Sequence, residues 1–392
     1  MTEPLWRSRA PTTTYSCDLA VIGAGIAGVA SALHAQRMGA SVIILDRCDI
    51  ASGASSRNAG FLMRGAADNY AAAINTLGHQ QAQHLWKLTE DNLAALRKEG
   101  IESLNTYQQI PSALLALTET EADQLTRSAR LLSDDGFSTQ LIHSGTDAVW
   151  QSGNPILALI NPDDAAINPC ELVHFLAAKL DRPPLTHCAV RSILADDSSV
   201  SINSDKLTIR AQRAIVCTNA YTSSLLPQLN NLISPNRGQM LAFSVPKPML
   251  DCSYYANHGS EYFRQPDHTT IVAGGWRKHF AQDEQTEKDE TTDAVQSGIE
   301  SFIRSLLPLD DAPVITRWAG IMGFTPDALP ITGPTDPTNR IWTCAGFTGH
   351  GMSLAYKTAQ LTVNALLNGT PPPFPLGRFN CVTPNAATSV DQ

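Results

Sequence analysis

No run of about 18 apolar residues, the length a membrane-crossing helix requires, occurs in this chain. The first residues, Met1-Thr2-Glu3-Pro4-Leu5-Trp6-Arg7, also lack the apolar core of a secretory leader, so a cytoplasmic protein without a membrane span is expected. The eight cysteines (17, 48, 170, 188, 217, 252, 344 and 381) form no C-x-x-C pair and stand at no Cys/His spacing suited to zinc. Neither a disulfide framework nor a metal site is indicated, and a reducing compartment fits best. Basic residues are in deficit, 28 Lys and Arg against 37 Asp and Glu for a net charge of −9, and they do not cluster with aromatics. Nucleic acid and anionic membrane are thereby set aside as principal partners. The acidic run Asp283 to Glu290 reads as a solvated loop in preference to a docking patch.

What is present is an ordinary globular composition, 43% hydrophobic and 17% charged, over 392 residues, a length that suggests two domains. The most informative stretch is Asp18-Leu19-Ala20-Val21-Ile22-Gly23-Ala24-Gly25-Ile26-Ala27-Gly28. Leu19 to Ile22 reads as a buried strand, and Ile26, Val29, Ala30 and Leu33 recur at helical spacing up to Gly39. Gly23 permits a tight turn, Gly25 lets a pyrophosphate touch the main chain, and Gly28 lets the helix pack on the strand, with the positive helix end facing phosphate. Ser41 to Leu45 is a second strand, and Asp46, 23 residues after Gly23, stands where a carboxylate accepts hydrogen bonds from a ribose diol. Strand, turn, helix, strand and acid together indicate dinucleotide binding.

Further along, Ala51 to Gly60 is a loop of small and polar residues with donors for a phosphate or a heteroaromatic ring. Ala82 to Lys98 reads as an amphipathic helix with Trp86 in the core. Asn168-Pro169-Cys170-Glu171 opens another, by cap, first-turn proline and reaching carboxylate. Short β-like runs follow at 189–193, 200–202 and 207–209, then a buried strand at 214–217, with Thr218-Asn219-Ala220 at its carboxyl end, where open α/β sheets bind ligands. From Ile233 to Ile315 the texture is strand-like (240–245, 262–265, 270–273), suggesting an antiparallel sheet closed by a polar helix at 293–307. The strand Ile341 to Cys344, the turn Ala345-Gly346-Phe347-Thr348-Gly349-His350-Gly351-Met352 and a helix to Leu367 repeat the strand–glycine turn–helix theme. One domain is therefore expected to be assembled from separated segments: 1–62, 150–222 and 318–392, with a second domain from 63–149 and 223–317.

These motifs, with Trp6, Gly53-Ala54-Ser55-Ser56-Arg57-Asn58-Ala59-Gly60, Arg237-Gly238-Gln239-Met240, Tyr262-Phe263-Arg264-Gln265, Trp318-Ala319-Gly320 and Thr325-Pro326-Asp327, resemble the D-amino-acid oxidase and glycine/sarcosine oxidase superfamily of FAD-dependent amine oxidoreductases. Within it the γ-glutamylputrescine oxidoreductase type is the nearest in pattern. The resemblance implies an α/β fold, α+β overall: a discontinuous Rossmann-like FAD-binding domain and a second domain built on an antiparallel sheet plus helices. It implies FAD, held without a covalent bond because Trp318 to Phe324 contains no cysteine. The residues expected at the cofactor are Gly23, Gly25, Ile26, Ala27, Gly28, Asp46, Arg47, Ser55, Ser56, Asn58, Gly60, Val190, Thr218, Asn219, Gly320, Gly346, Gly349, His350, Gly351 and Met352.

The implied reaction removes a hydride equivalent from the carbon beside an amine, leaving an imine that water hydrolyses. An amino acid or an acylated polyamine is the expected substrate, and oxygen or another acceptor takes the electrons. The catalytic set is Arg64, Tyr262, Arg264 and His350, with Arg64 first and Arg264 second as the anchor for an anionic group. Two departures from the pattern bear on specificity. Met352-Ser353 stands where some sarcosine-type members carry a lysine, and the strand at 270–275 has no lysine before Lys278, which argues against oxygen as the acceptor. The alternatives are a nicotinamide-dependent dehydrogenase using the same first motif, and a flavoprotein electron-transfer or structural subunit without its own small substrate.

Overall fold

The run around Leu19 to Ile22 becomes the second half of an interior strand of the first sheet, Thr13–Ile22, in a computed structural model that describes residues 13–66 and 68–379. Trp6, the N-terminal heptad and Cys381 lie outside the described residues. Buried on both faces from Leu19 to Ile22, this strand is flanked in parallel by Val42–Leu45 and Leu207–Val216, and the latter by Ile341–Ala345. Ile331–Pro334 closes that edge antiparallel. The short runs read at 207–209 and 214–217 become one ten-residue strand, Leu207–Val216; Val200–Ser204 pairs antiparallel with its first half, and Val190–Ala195 pairs antiparallel with Val200–Ser204. Ile22 pairs with both Leu45 and Val216, so the carboxyl ends of these strands align along one edge.

Helices Ile26–Arg37 and Gly351–Asn368 pack together against one face of this sheet, with His79–Lys98 against the second of them. Each follows a strand through a glycine turn, the sequence signal expected of a doubly wound α/β unit. The helix over Pro169–Ala177 opens with the expected cap and proline, Asn168 Oδ1 accepting from the Cys170 and Glu171 N–H groups (3.0 and 3.3 Å), but the Glu171 carboxylate accepts from the Thr106 hydroxyl, which itself takes the Asn168 N–H (3.2 Å).

The second sheet has eight strands in the order Val314–Phe324, Ser234–Ser244, Thr270–Gly275, Glu261–Asp267, Ser253–Ala256, Ser112–Ala116, Leu157–Asn161 and Gln140–Ile142. All neighbours are antiparallel except Ser253–Ala256 beside Ser112–Ala116. The polar helix at Asp293–Leu306 lays Val295, Ile299 and Ile303 on it. Two expected segment boundaries shift: Leu157–Asn161, placed with the cofactor domain, pairs in this second sheet, and position 318 falls inside the strand Val314–Phe324. Periodicity cannot say which sheet a short buried strand joins, because that depends on partners far away in sequence.

Candidate active site

The two glycine turns converge. Gly23, with φ +106°, leaves the first strand so close to the neighbouring one that a Cβ would stand 2.8 Å from the Cys217 carbonyl oxygen. At Gly28 a Cβ would meet the Gly23 carbonyl oxygen at 1.8 Å, so only glycine lets the helix seat on the turn. Asp46 faces the turn from the end of the second strand: its Oδ2 accepts from Ala24 N–H (2.6 Å) and its Oδ1 from Cys48 N–H (2.8 Å). Burial raises the Asp46 pKa, opposed by those two backbone donors. The Ser55 hydroxyl accepts from Ile26 N–H (3.0 Å), which leaves the next amides of this first helical turn with no preceding helical carbonyl to reach.

The second turn is pinned to the end of the strand Leu207–Val216 by Asn219, itself at φ +47°, whose side-chain oxygen accepts from Gly346 N–H (3.0 Å) and Phe347 N–H (3.4 Å). From there His350 caps the helix Gly351–Asn368. Desolvation lowers the His350 pKa to about 4, so the ring is neutral near pH 7.

Both turns line a single cavity of about 780 Å³. Of the residues expected at the cofactor, Gly23, Gly25, Ile26, Ala27, Asp46, Arg47, Ser55, Asn58, Gly60, Val190, Thr218, Asn219, Gly320, Gly349, His350, Gly351 and Met352 lie on its wall. Gly28 sits behind the wall, where it sets helix against strand; Gly346 sits behind it too, packed against Thr325 and Ile233. Ser56 turns back toward the Gly53 carbonyl (3.5 Å). Arg47 lays its guanidinium over the Tyr221 ring, 4.0 Å from the centroid.

The arginines require a correction. Arg64 and Arg264 are absent from the cavity wall. Arg64 is 5% exposed and its guanidinium is taken up by Glu90 (3.2 Å), Asn161 Oδ1 (2.7 Å) and the Ser138 carbonyl. Arg264 is 2% exposed; it donates to the carbonyls of Ala59 and Ile167 (the latter at 2.9 Å) and to Gln108 Oε1 (2.9 Å). It shares a strand face with Tyr262, two residues back, but the Ala59–Gly60 backbone covers it, so it ties that loop to the second sheet. Burial lowers its pKa to about 10. Spacing identifies an arginine near the site, yet carries no information on which carbonyls it will meet.

Tyr262 does face the cavity, and beside it stand residues the sequence did not disclose: Tyr255, His258, Arg277 and Met322. A hairpin pairs Tyr255 with Tyr262 across the turn Asn257 to Ser260, and Phe61 closes the group, 5.2 Å from Tyr255 and 6.2 Å from Tyr262 between centroids. The Asn-His-Gly-Ser turn between two strand-like runs was a readable hairpin signal. Burial pushes the Tyr262 pKa up to about 12 and the Tyr255 pKa further. Arg277 follows the left-handed Trp276 (φ +59°) at the end of Thr270–Gly275. Its guanidinium lies 4.6 Å above Phe324, and burial draws its pKa down. Lys278, also on the wall, is the lysine that the strand itself lacks.

The acidic run is not simply solvated. Glu284, 1% exposed, holds Arg237 by two hydrogen bonds (2.7 and 2.9 Å), and Asp289 reaches the cavity rim to pair with Arg57 of the Ser55–Gly60 loop. Pairing with basic partners on other elements, not the charge run itself, draws this segment inward.

The sequence profile of a family described as FAD dependent oxidoreductase (DAO) matches residues 18–365. The chain belongs to that family. It is therefore an FAD-dependent oxidoreductase, and the nicotinamide alternative falls away. It is 24% identical over 366 residues to a glycine oxidase of Pseudomonas putida, spanning 91% of this chain and 96% of the relative. It is 23% identical over 376 residues to the γ-glutamylputrescine oxidoreductase of Escherichia coli, spanning 90% and 84%. The fold matches that of the L-proline dehydrogenase of P. horikoshii with a TM-score of 0.79 at 19% identity, over 94% of this chain and 99% of the other. Among the described residues no helix is long and apolar enough to cross a membrane.

The cavity fits the family's cofactor by its own features: a helix start with unspent amides, a carboxylate at the next strand end, and glycine where a side chain would block the approach.

Proposed function

We propose that the protein oxidises the C–N bond of an amine that also carries an anionic group, an amino acid or an acylated amine, to an imine that water then hydrolyses. Arg277 carries this reading. Among the described residues it makes no ion pair and no hydrogen bond: it lies against the Phe324 ring, Glu284 and Tyr262 act on it only at longer range, and it faces the cavity. A charged guanidinium on a cavity wall without a carboxylate of its own is suited to receive one from a ligand, with two parallel donors. The Tyr255 and Tyr262 hydroxyls likewise have no hydrogen-bond partner among the described residues and stand ready to orient the same ligand.

FAD, when bound, supplies the electron sink that accepts the hydride equivalent. In this reading Gly23, Gly25, Asp46 and the start of helix Ile26–Arg37 hold its ADP half, and the His350 turn receives the ring end. Free N–H groups at the start of Gly351–Asn368 favour negative charge building up there. Phe61, Met63 and Met352 give the site apolar walls, which favour the neutral amine because an unpaired ammonium is costly to bury.

The test is anaerobic titration of the FAD-loaded protein with a broad panel of amines and amino acids. At least one carboxylate-bearing amine bleaches the flavin; a panel that never bleaches it refutes the reading. In Arg277→Met, affinity for that compound falls by roughly 10- to 100-fold with no change in thermal midpoint, the loss expected for charge-assisted hydrogen bonds. Reoxidation in air against reoxidation by an artificial dye identifies the acceptor. Acid precipitation that leaves the yellow colour in solution shows the FAD to be non-covalent.

A further inference from the structure

Three residues of the cavity wall, Tyr255, His258 and Gly259, also line a second chamber, which reaches Leu114, Gln124 and Glu121. Glu121 is the third residue of helix Glu119–Asp134. Its Oε2 accepts from Leu117 N–H and from the Thr118 hydroxyl, both at 3.1 Å, a reach-back that closes the helix start. Its Oε1 is different. That atom is buried without a hydrogen-bond partner, on a residue 5% exposed. The nearest base, His258 Nε2, is 3.9 Å away, too far for a hydrogen bond.

A buried carboxylate oxygen with no donor is costly, and proteins leave few such atoms without a reason. The chamber offers about 10 Å³ for the centre of a water-sized group. An ammonium is of that size. Leu114, Leu115 and Leu125 line the approach with apolar surface suited to methylenes, and the half-exposed His258 divides the two spaces.

We propose that this chamber binds the distal ammonium of an elongated substrate, so that the preferred amines carry a second basic nitrogen, with Glu121 as its acceptor. The assignment rests on the amine-oxidation reading above and extends it: Arg277 takes the anionic group, the nearer amine is oxidised, and the remote nitrogen fixes the length.

The experiment compares isosteric pairs on the FAD-loaded protein without oxygen: lysine against 2-aminoheptanoate and ornithine against norleucine, both enantiomers, followed by flavin absorbance. The basic member of at least one pair binds at least tenfold tighter than its apolar partner, and in Glu121→Gln that advantage disappears while 2-aminoheptanoate and norleucine bind as before. Glutamine still accepts the helix-start bonds, and the apolar ligands report whether the variant is folded. Equal binding within both pairs, or an advantage that survives in Glu121→Gln, overturns the proposal and assigns the chamber to a bound water, leaving amine oxidation intact. A flavin that responds to no amine at all refutes the parent reading, and this one with it.

Discussion

The two sheets furnish one cavity in opposite ways. The parallel sheet contributes backbone: strand ends in register, glycines where chains touch, helix starts and a single carboxylate at Asp46. The antiparallel sheet contributes side chains, Tyr255, Tyr262 and Arg277, from a hairpin and a strand end. A backbone site must be specified by local sequence, because a turn and its helix are consecutive. A side-chain site is specified by which strands lie side by side, and that is settled by the whole fold.

The largest expected effect lies on the backbone side. Gly28→Val places carbon where the Gly23 carbonyl oxygen already sits, 1.8 Å from the Cβ position, and neither element can yield without moving the strand. The purified variant is expected to retain less than about a tenth of the wild-type flavin per chain after desalting, since an overpacked backbone contact costs several kcal/mol. Normal flavin content would mean that close packing at the first turn does not govern the cofactor cradle.

The same division explains what the sequence made legible. The turn at Gly23, the acid at Asp46, the helix opened by Asn168 and the second glycine turn were readable because each is a pattern of neighbours. At the substrate end the sequence points to Arg64 and Arg264, and neither reaches the cavity wall. Arg264 and Tyr262 share a strand face, so periodicity alone puts both at the site; the Ala59 and Ile167 carbonyls, more than 90 residues away, decide otherwise. Arg277, which does line the cavity, carries no such signal, because nothing local distinguishes a cation with a carboxylate partner from one without. The helix Glu119–Asp134 did carry a signal, Thr118 with Glu121 three residues on.

Exchanging the arginines sharpens the contrast. Arg264→Leu strands the Ala59 and Ile167 carbonyls and Gln108, and is expected to destabilise the protein by about 3 to 5 kcal/mol, with apolar packing recovering little of the loss. Thermal unfolding measures it. Arg277→Met should leave the same unfolding curve in place while removing affinity for carboxylate-bearing amines. A variant pair with the opposite assignment, stability lost at 277 and ligand lost at 264, would reverse the roles given to the two side chains.

The smallest effect concerns two histidines, one on each glycine-turn helix. His350 opens the second helix at the cavity, whereas His34 lies in the first, 6% exposed, its ring edge-on to Tyr356 at 4.9 Å and its Nε2 without a hydrogen-bond partner. Desolvation first, then the nearby Arg37, lowers the His34 pKa from 6.5 to about 4. Between those values the unfolded chain binds a proton that the folded one refuses, so stability rises with pH across the window and falls as pH drops from 6.5 toward 4. His34→Leu removes that dependence and leaves no orphaned nitrogen. Relative to wild type the variant should lose less stability on acidification from pH 6.5 to pH 4, the difference being about 1 to 3 kcal/mol, read from unfolding midpoints at each pH. Flavin content at neutral pH should not change, because a polar group buried under the parallel sheet but off the cavity bears on folding alone. Parallel acid-stability curves for the two proteins would show that the folded state admits the proton at His34, and that this helix is less tightly closed against its partner than its packing implies.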